Sequence, residues 1–231
     1  MKKLTPLLLW SGLLAVLVRN ILVYYIGWIS PGYSPVSNFI SELSADGMPY
    51  AGLVNLGSLI VLGIVLIMTA LALKGRLPGP GRGLSMSYLA ISGVAFIGIG
   101  LFPCPPGCRP ELNSMQMTIH TLAGFIASVA ICLSAIVYGL KYFKGYKSPL
   151  RSGSFVLGTI GILAFVTLWV TIVTSEFGID IGLYQVKGAL QRLNVLAGDL
   201  WVVLACVSCL RTGVVSKTPA SIKDTSSTLV S

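Results

Sequence analysis

Six polar side chains stand at or near the ends of apolar segments in this chain: Glu42, Asp46, Asn55, His120, Gln191 and Arg192. If they converge, a carboxylate beside the chain's single histidine is the minimum set for general acid–base chemistry, with Glu42 and His120 as the candidate pair. A guanidinium at Arg192 suits a phosphate or carboxylate headgroup, because its planar fork matches such oxygens two at a time. The same six residues could bind a ligand without transforming it, or simply hydrogen-bond one another and dock a loop; the sequence leaves all three readings open. No nucleophile elbow, glycine-rich phosphate loop, HExxH or paired metal-ligand spacing is present. One histidine does not make a bis-histidine haem site, so neither metal nor cofactor is expected.

A second constellation lies deeper. Arg19 and Asp199 both interrupt long apolar runs. Each is ten residues from the end of its run, at Ile29 and Ala189 respectively, or roughly 15 Å at the rise of an α-helix. A charge inside hydrocarbon needs a partner, so the two are expected to form a buried ion pair between the first and last apolar helices; a role in an ion or proton pathway is the alternative. Cys104 and Cys108 flank a Pro-Pro-Gly turn. A disulfide across that turn and two free thiols both fit, and the three-residue spacing disfavours dithiol redox exchange.

The elements that must position these groups follow from composition. The chain has 231 residues, 55% hydrophobic and 10% charged, with a mean hydropathy of +0.87. A soluble domain carries roughly 25% charge, so this is the composition of an integral membrane protein. Six runs can each cross a bilayer: Leu7–Ile29, Tyr50–Leu73, Gly83–Phe102, Met115–Leu140, Ser154–Ser175 and Ala189–Leu210. Lys2 and Lys3 before the first run imitate a signal peptide, but no small-residue cleavage site follows and the run resumes past Arg19-Asn20, which reads as an uncleaved span. The net charge of +9 does not form a basic stripe with interleaved aromatics, so nucleic acid is not an expected partner. Basic residues crowd the connections at 74–82 and 141–151 and both chain ends, whereas Arg109 and Lys187 alone occupy the opposite loops. That asymmetry predicts cytoplasmic termini, with Glu42, Asp46, Glu111, Glu176 and Asp180 outside.

Within the first outer loop, Ser34-Pro35 resembles a helix N-cap followed by proline at the first helical position. Val36, Phe39, Ile40 and Leu43 follow at helical spacing, predicting a short amphipathic helix on the bundle. In the third run, Gly83, Ser87 and Ala90 share a face, and Gly93, Gly98 and Gly100 follow; small residues at such spacing suit close helix packing. In the fourth, Gly124 and Ser128 follow His120 on one face. Beyond Arg211 the Ser/Thr-rich tail, residues 213–231, is expected to be disordered, leaving residues 1–212 as one transmembrane domain.

Several short motifs recur together: Pro31-Gly32-Tyr33-Ser34, Ile40-Ser41-Glu42-Leu43, Gly47-Met48-Pro49-Tyr50 leading to Asn55-Leu56-Gly57, Gly100-Leu101-Phe102-Pro103-Cys104, His120, and Leu190-Gln191-Arg192-Leu193. In this respect the chain resembles the uncharacterised membrane family called domain of unknown function 998, over about residues 7–211. The resemblance implies a multi-span bundle and brings no established activity. The departure is in the second loop, where many relatives have an acidic residue and this chain has Pro105-Pro106-Gly107 leading to Cys108.

The expectation is therefore an all-α, six-span bundle in the cell membrane, capped outside by a short helix. Its expected activity is binding of a lipid headgroup or small amphiphile in an outward-facing polar pocket, serving transport or membrane homeostasis. A lipid-modifying enzyme using Glu42 and His120, and a structural subunit of a membrane complex, are the alternatives. Membrane lipids are the expected partners, with another membrane protein or a second copy of the chain in the subunit case.

Overall fold

The computed structural model describes residues 4–108, 114–141, 149–179 and 181–211. Lys2, Lys3, Arg109, Glu111, Lys144, Lys147, Asp180 and the tail at 213–231 lie outside the described residues. Where described, the chain is helical: α1 (Thr5–Ile29), α2 (Ile40–Leu43), α3 (Ala51–Leu53), a π-helical stretch Val54–Ile60, α4 (Val61–Lys74), α5 (Arg82–Leu101), α6 (Met115–Lys141), α7 (Pro149–Glu176) and α8 (Lys187–Arg211). The stretch from Ala51 to Lys74 is continuous, so among the described residues six helices are long and apolar enough to cross a membrane. In hydrocarbon only such internally hydrogen-bonded segments are viable, which is why apolar runs of this length fold as helices.

Successive spans pack side by side, and α1 closes the ring by lying against both α4 and α8. Small residues set how closely they approach. A Cβ on Gly63 would stand 2.4 Å from the Gly93 carbonyl oxygen, so α4 and α5 touch backbone to backbone. At Gly139 and Gly158, α6 and α7 meet in the same way against Phe155 and the Cys132–Ile136 turn. Close approach of this kind supplies dispersion contact where no hydrophobic driving force separates helix from lipid. The half of the bundle near the chain ends is filled by Tyr138 and Trp201, ring centroids 5.4 Å apart and both fully buried.

On α5 the buried small residues are Ser85, Ser92, Gly93, Ala95 and Gly100, while Ser87 is exposed and Gly83 has no neighbour within 4 Å of a built Cβ. Of the expected small-residue face, Ala90, Gly93, Gly98 and Gly100 meet neighbouring helices or the core, whereas Gly83 and Ser87 do not. Ser85 and Ser92 donate to the carbonyls of Ser134 (2.7 Å) and Ala127 (2.9 Å) on α6, and these interhelical bonds select the buried side.

The loop helix also differs from expectation. It starts at Ile40, not after Ser34. The cause is competition for the backbone. The Asn38 side chain accepts from the Ser34 N–H at 2.8 Å, and Glu42 Oε1 accepts from the Phe39 N–H at 2.8 Å. The carbonyls of Pro35, Val36 and Asn38, which a helix would use internally, accept instead from α8. One turn of helix is all that remains.

Candidate functional site

The loop between α1 and α3 lies on the start of α8. There Gly188 leaves room for it: a built Cβ would sit 2.3 Å from the Asn38 carbonyl oxygen and 2.8 Å from those of Pro35 and Val36. The Ala189 N–H donates to the Val36 carbonyl at 2.9 Å, as a free N–H in the first turn of a helix can. Arg192, buried one turn on, donates through Nη1 to the carbonyls of Pro35 (2.6 Å), Asn38 (2.9 Å) and Gly188 (3.1 Å), and through Nη2 to the Tyr33 hydroxyl. Tyr33 in turn donates to the Phe39 carbonyl at 3.0 Å. Burial raises the Tyr33 pKa above its ordinary value, outweighing the opposing pull of Arg192, so the hydroxyl keeps the proton this bond needs. Gln191 completes the latch by accepting from the Ile40 N–H at 2.6 Å.

Two further fastenings hold the loop's far end. Asn55, in the π-helical stretch, donates to the Ser44 carbonyl at 2.9 Å. The Asp46 N–H donates to the Cys104 carbonyl at 3.0 Å, and its carboxylate accepts from Gln116 at 2.7 Å. Cys104 and Cys108 are joined as a disulfide.

Beneath this roof is a cavity of about 1100 Å³. It is bounded by α1, α6, α7 and α8, with Phe96 and Ile99 of α5 at the back. Its upper rim carries Glu42, His120, Glu176, Lys187 and Gln191. The aromatic wall is Phe125, Phe165 and Trp169, packed edge to face with centroids 5.1 and 5.6 Å from Phe125. At the floor, Arg19 pairs with Asp199, and Asn20 donates to the same Asp199 oxygen at 2.8 Å. Both charged residues are over nine-tenths buried. A few convergent polar groups on mostly apolar walls is the usual make-up of a small-molecule site.

A family model described as "Protein of unknown function (DUF998)" matches residues 12–208. The chain belongs to the DUF998 family. No curated protein and no solved structure matches the chain. Family membership thus agrees with the multi-span architecture and leaves chemistry to the site of this DUF998 member alone.

Of the six outer polar residues, the cavity takes Glu42, His120 and Gln191. Arg192, Asp46 and Asn55 do not line it; Arg192 and Asn55 donate to loop carbonyls, with Arg192 Nε and Asn55 Oδ1 buried without a partner among the described residues, and Asp46 is held by Cys104 and Gln116. Arg192 is absent from the pocket because the loop's bare carbonyls compete for its guanidinium, a contact no local pattern announces. Glu42 and His120 share the cavity without a hydrogen bond between them among the described residues: Glu42 accepts from Asn38 at 2.6 Å and from Phe39, and His120 Nδ1 is 2.8 Å from the Phe102 carbonyl oxygen. That carbonyl can only accept, so Nδ1 carries a hydrogen. Lys187, Asn194 and Glu176 were not singled out from sequence. The signal for two of them exists: Lys187, Gln191 and Asn194 stand at spacings of four and three along α8, forming a polar stripe that lines the cavity.

Proposed function

We propose that this protein binds an amphiphile in the cavity beneath the loop, with the polar head under Glu42, His120 and Lys187 and the apolar part against Phe125, Phe165 and Trp169. The observation that carries this reading is the joint presence of an about 1100 Å³ space, an aromatic wall and a rim of polar groups in one chamber. Pockets for small ligands run to roughly 1,000 Å³. Cell-membrane residence with both chain ends in the cytoplasm belongs to the same proposal, supported by Lys74, Arg76, Arg82, Arg151 and Arg211 clustering at the end of the bundle opposite the loop.

Gly124 offers the test. It lines the cavity, and a Cβ built there meets nothing within 4 Å. Purified native protein and Gly124→Leu would be compared by mass profile of co-purified molecules, after equal melting temperatures are confirmed. A species retained by the native chain and lost from the variant supports binding. Identical profiles would sink it and move the weight to a structural subunit. A second reading, lipid modification, draws on Glu42 and His120 sharing the chamber; a species chemically converted by native chain but not by His120→Gln would select it.

A further inference from the structure

The roof over the cavity is fastened along α8 and at its far end. Loop carbonyls at positions 35, 36 and 38 are held by α8, Ser44 by Asn55, and the Asp46 N–H by Cys104. The side wall is different. Leu122 and Phe125 of α6 and Val173 of α7 line the cavity and are 58%, 43% and 45% exposed, and Leu122 stands about 200° around the helix from the buried His120, turned to the outside of the bundle. A residue that faces the chamber and the exterior at once marks an opening between them. These three positions lie within spanning helices, so the exterior they face is hydrocarbon. The opening is not sealed by small residues: the tight α6–α7 contacts at Gly139 and Gly158 are toward the other end of the pair.

We infer that the ligand is a zwitterionic phospholipid that reaches the cavity sideways, through a portal between α6 and α7, and leaves an acyl chain lying across Phe125. This deepens the amphiphile reading and rests on it. A water-borne amphiphile would enter past the polar rim at Thr118, Glu176 and Tyr184, head and tail together, whereas a bilayer lipid is already at the portal with its acyl chains beside Phe125. The rim decides the headgroup. Glu42 and Glu176 are negative and Lys187 is positive, its Nζ 3.9 Å from the Tyr184 ring centroid and 5.0 Å from that of Phe39. An anionic head would meet two carboxylates against one ammonium. A zwitterionic head sets its own ammonium toward the carboxylates and aromatic faces and its phosphate toward Lys187.

The test uses the full chain in nanodiscs of phosphatidylcholine carrying a trace of the same lipid with a photoactivatable diazirine in its acyl chain. Irradiation is followed by peptide mapping of adducts. Bulk lipid labels every outward face, including that of α1 at Leu14 and Ile21, so the readout is enrichment at Leu122, Phe125 and Val173 over those positions. The expected result is enrichment of about tenfold, a difference of about 1.4 kcal/mol in occupancy, that disappears in Gly124→Trp. Gly124→Leu, a smaller plug, is run beside it in case the tryptophan variant does not fold. Uniform labelling unaffected by either plug overturns the inference. Portal labelling stronger with an anionic phosphatidylglycerol probe overturns the headgroup assignment. A molecule that co-purifies with the native chain while the portal stays unlabelled sinks sideways access and spares the amphiphile reading; no retained molecule and no portal labelling sinks both.

Discussion

Arg192 Nη1 reaches the carbonyl oxygen of Pro35 at 2.6 Å, joining the last span to the first loop. The same guanidinium bonds Asn38 and Tyr33, so one buried side chain organises the conformation of the whole latch. Arg192→Lys keeps the charge and loses the fork. The expected outcome is a loss of about 2–3 kcal/mol, since bonds from charged donors are each worth roughly 1.5–3 kcal/mol and the three donors of a lysine ammonium leave one of the four arginine bonds unmade. Thermal melts in detergent give the stability, and amide exchange at Ala189 and Ile40 reports the loop. Unchanged protection at both amides with the variant folded would show that the loop holds without Arg192.

At the floor, Arg19 and Asp199 neutralise each other with Asn20 as a third member. Asp199→Asn leaves a buried guanidinium without a counter-charge, and the expected destabilisation is about 3–5 kcal/mol. Asn20→Leu removes only a neutral donor to the same carboxylate and should cost about 1–2 kcal/mol. Replacing both Arg19 and Asp199 by leucine should recover much of the loss, because two desolvated charges go together. A double variant that melts no higher than Asp199→Asn would mean the pair is not a self-contained unit.

These two constellations differ in how far they can be read from residues alone. Arg19 and Asp199 stand in apolar runs, and hydrocarbon forces any charge there to find a partner at its own depth; counting residues from the loop end puts both at one level, where the structure joins them. The six spans are legible for the same reason, since the bilayer imposes a length. The loop obeys no such external ruler. Its helix is expected after Ser34 and begins at Ile40: the Ser34 carbonyl does close one turn on the Asn38 N–H, but the carbonyls of Pro35, Val36 and Asn38 that would carry it onward are taken by α8, some 150 residues along the chain. The π-helical stretch Val54–Ile60 left no periodic trace either, although it holds the Asn55 that fastens Ser44. Arg192, expected in the pocket, is held by the loop, and Lys187, for which no site role is expected, lines the cavity instead; long cations go to whichever acceptors or rings the tertiary fold leaves bare.

The disulfide between Cys104 and Cys108 closes a very short loop beneath residues 41–46. The chain-entropy relation gives roughly 2 kcal/mol for a ring this small, an upper figure. Reductant should therefore lower the melting temperature modestly and leave the spans intact. Alkylation with and without reductant, read by mass, counts the thiols that become available; the buried Cys132, Cys206 and Cys209 serve as slow-reacting controls. A chain that alkylates at Cys104 and Cys108 without reductant would lack the bond.

Two glycines make opposite predictions, and together they separate roof from chamber. At Gly188 a methyl group would enter the carbonyls of Pro35, Val36 and Asn38, all backbone atoms that cannot swing aside. Gly188→Ala must push the loop off α8, and overpacking of this sort costs about 1–3 kcal/mol. Its amide-exchange signature should match that of Arg192→Lys, with Ala189 and Ile40 losing protection. At Gly124 the methyl group points into open cavity. Gly124→Ala should stabilise α6 by up to about 1 kcal/mol through helix propensity alone, with loop protection unchanged. If Gly124→Ala instead melts lower, the space beside it is filled by protein and the chamber is smaller than the structure indicates. If Gly188→Ala is neutral, the loop rests on α8 more loosely than its three close carbonyls require. The pair is informative because a single alanine is tested in both places, so side-chain chemistry cancels and only the room available to a Cβ remains.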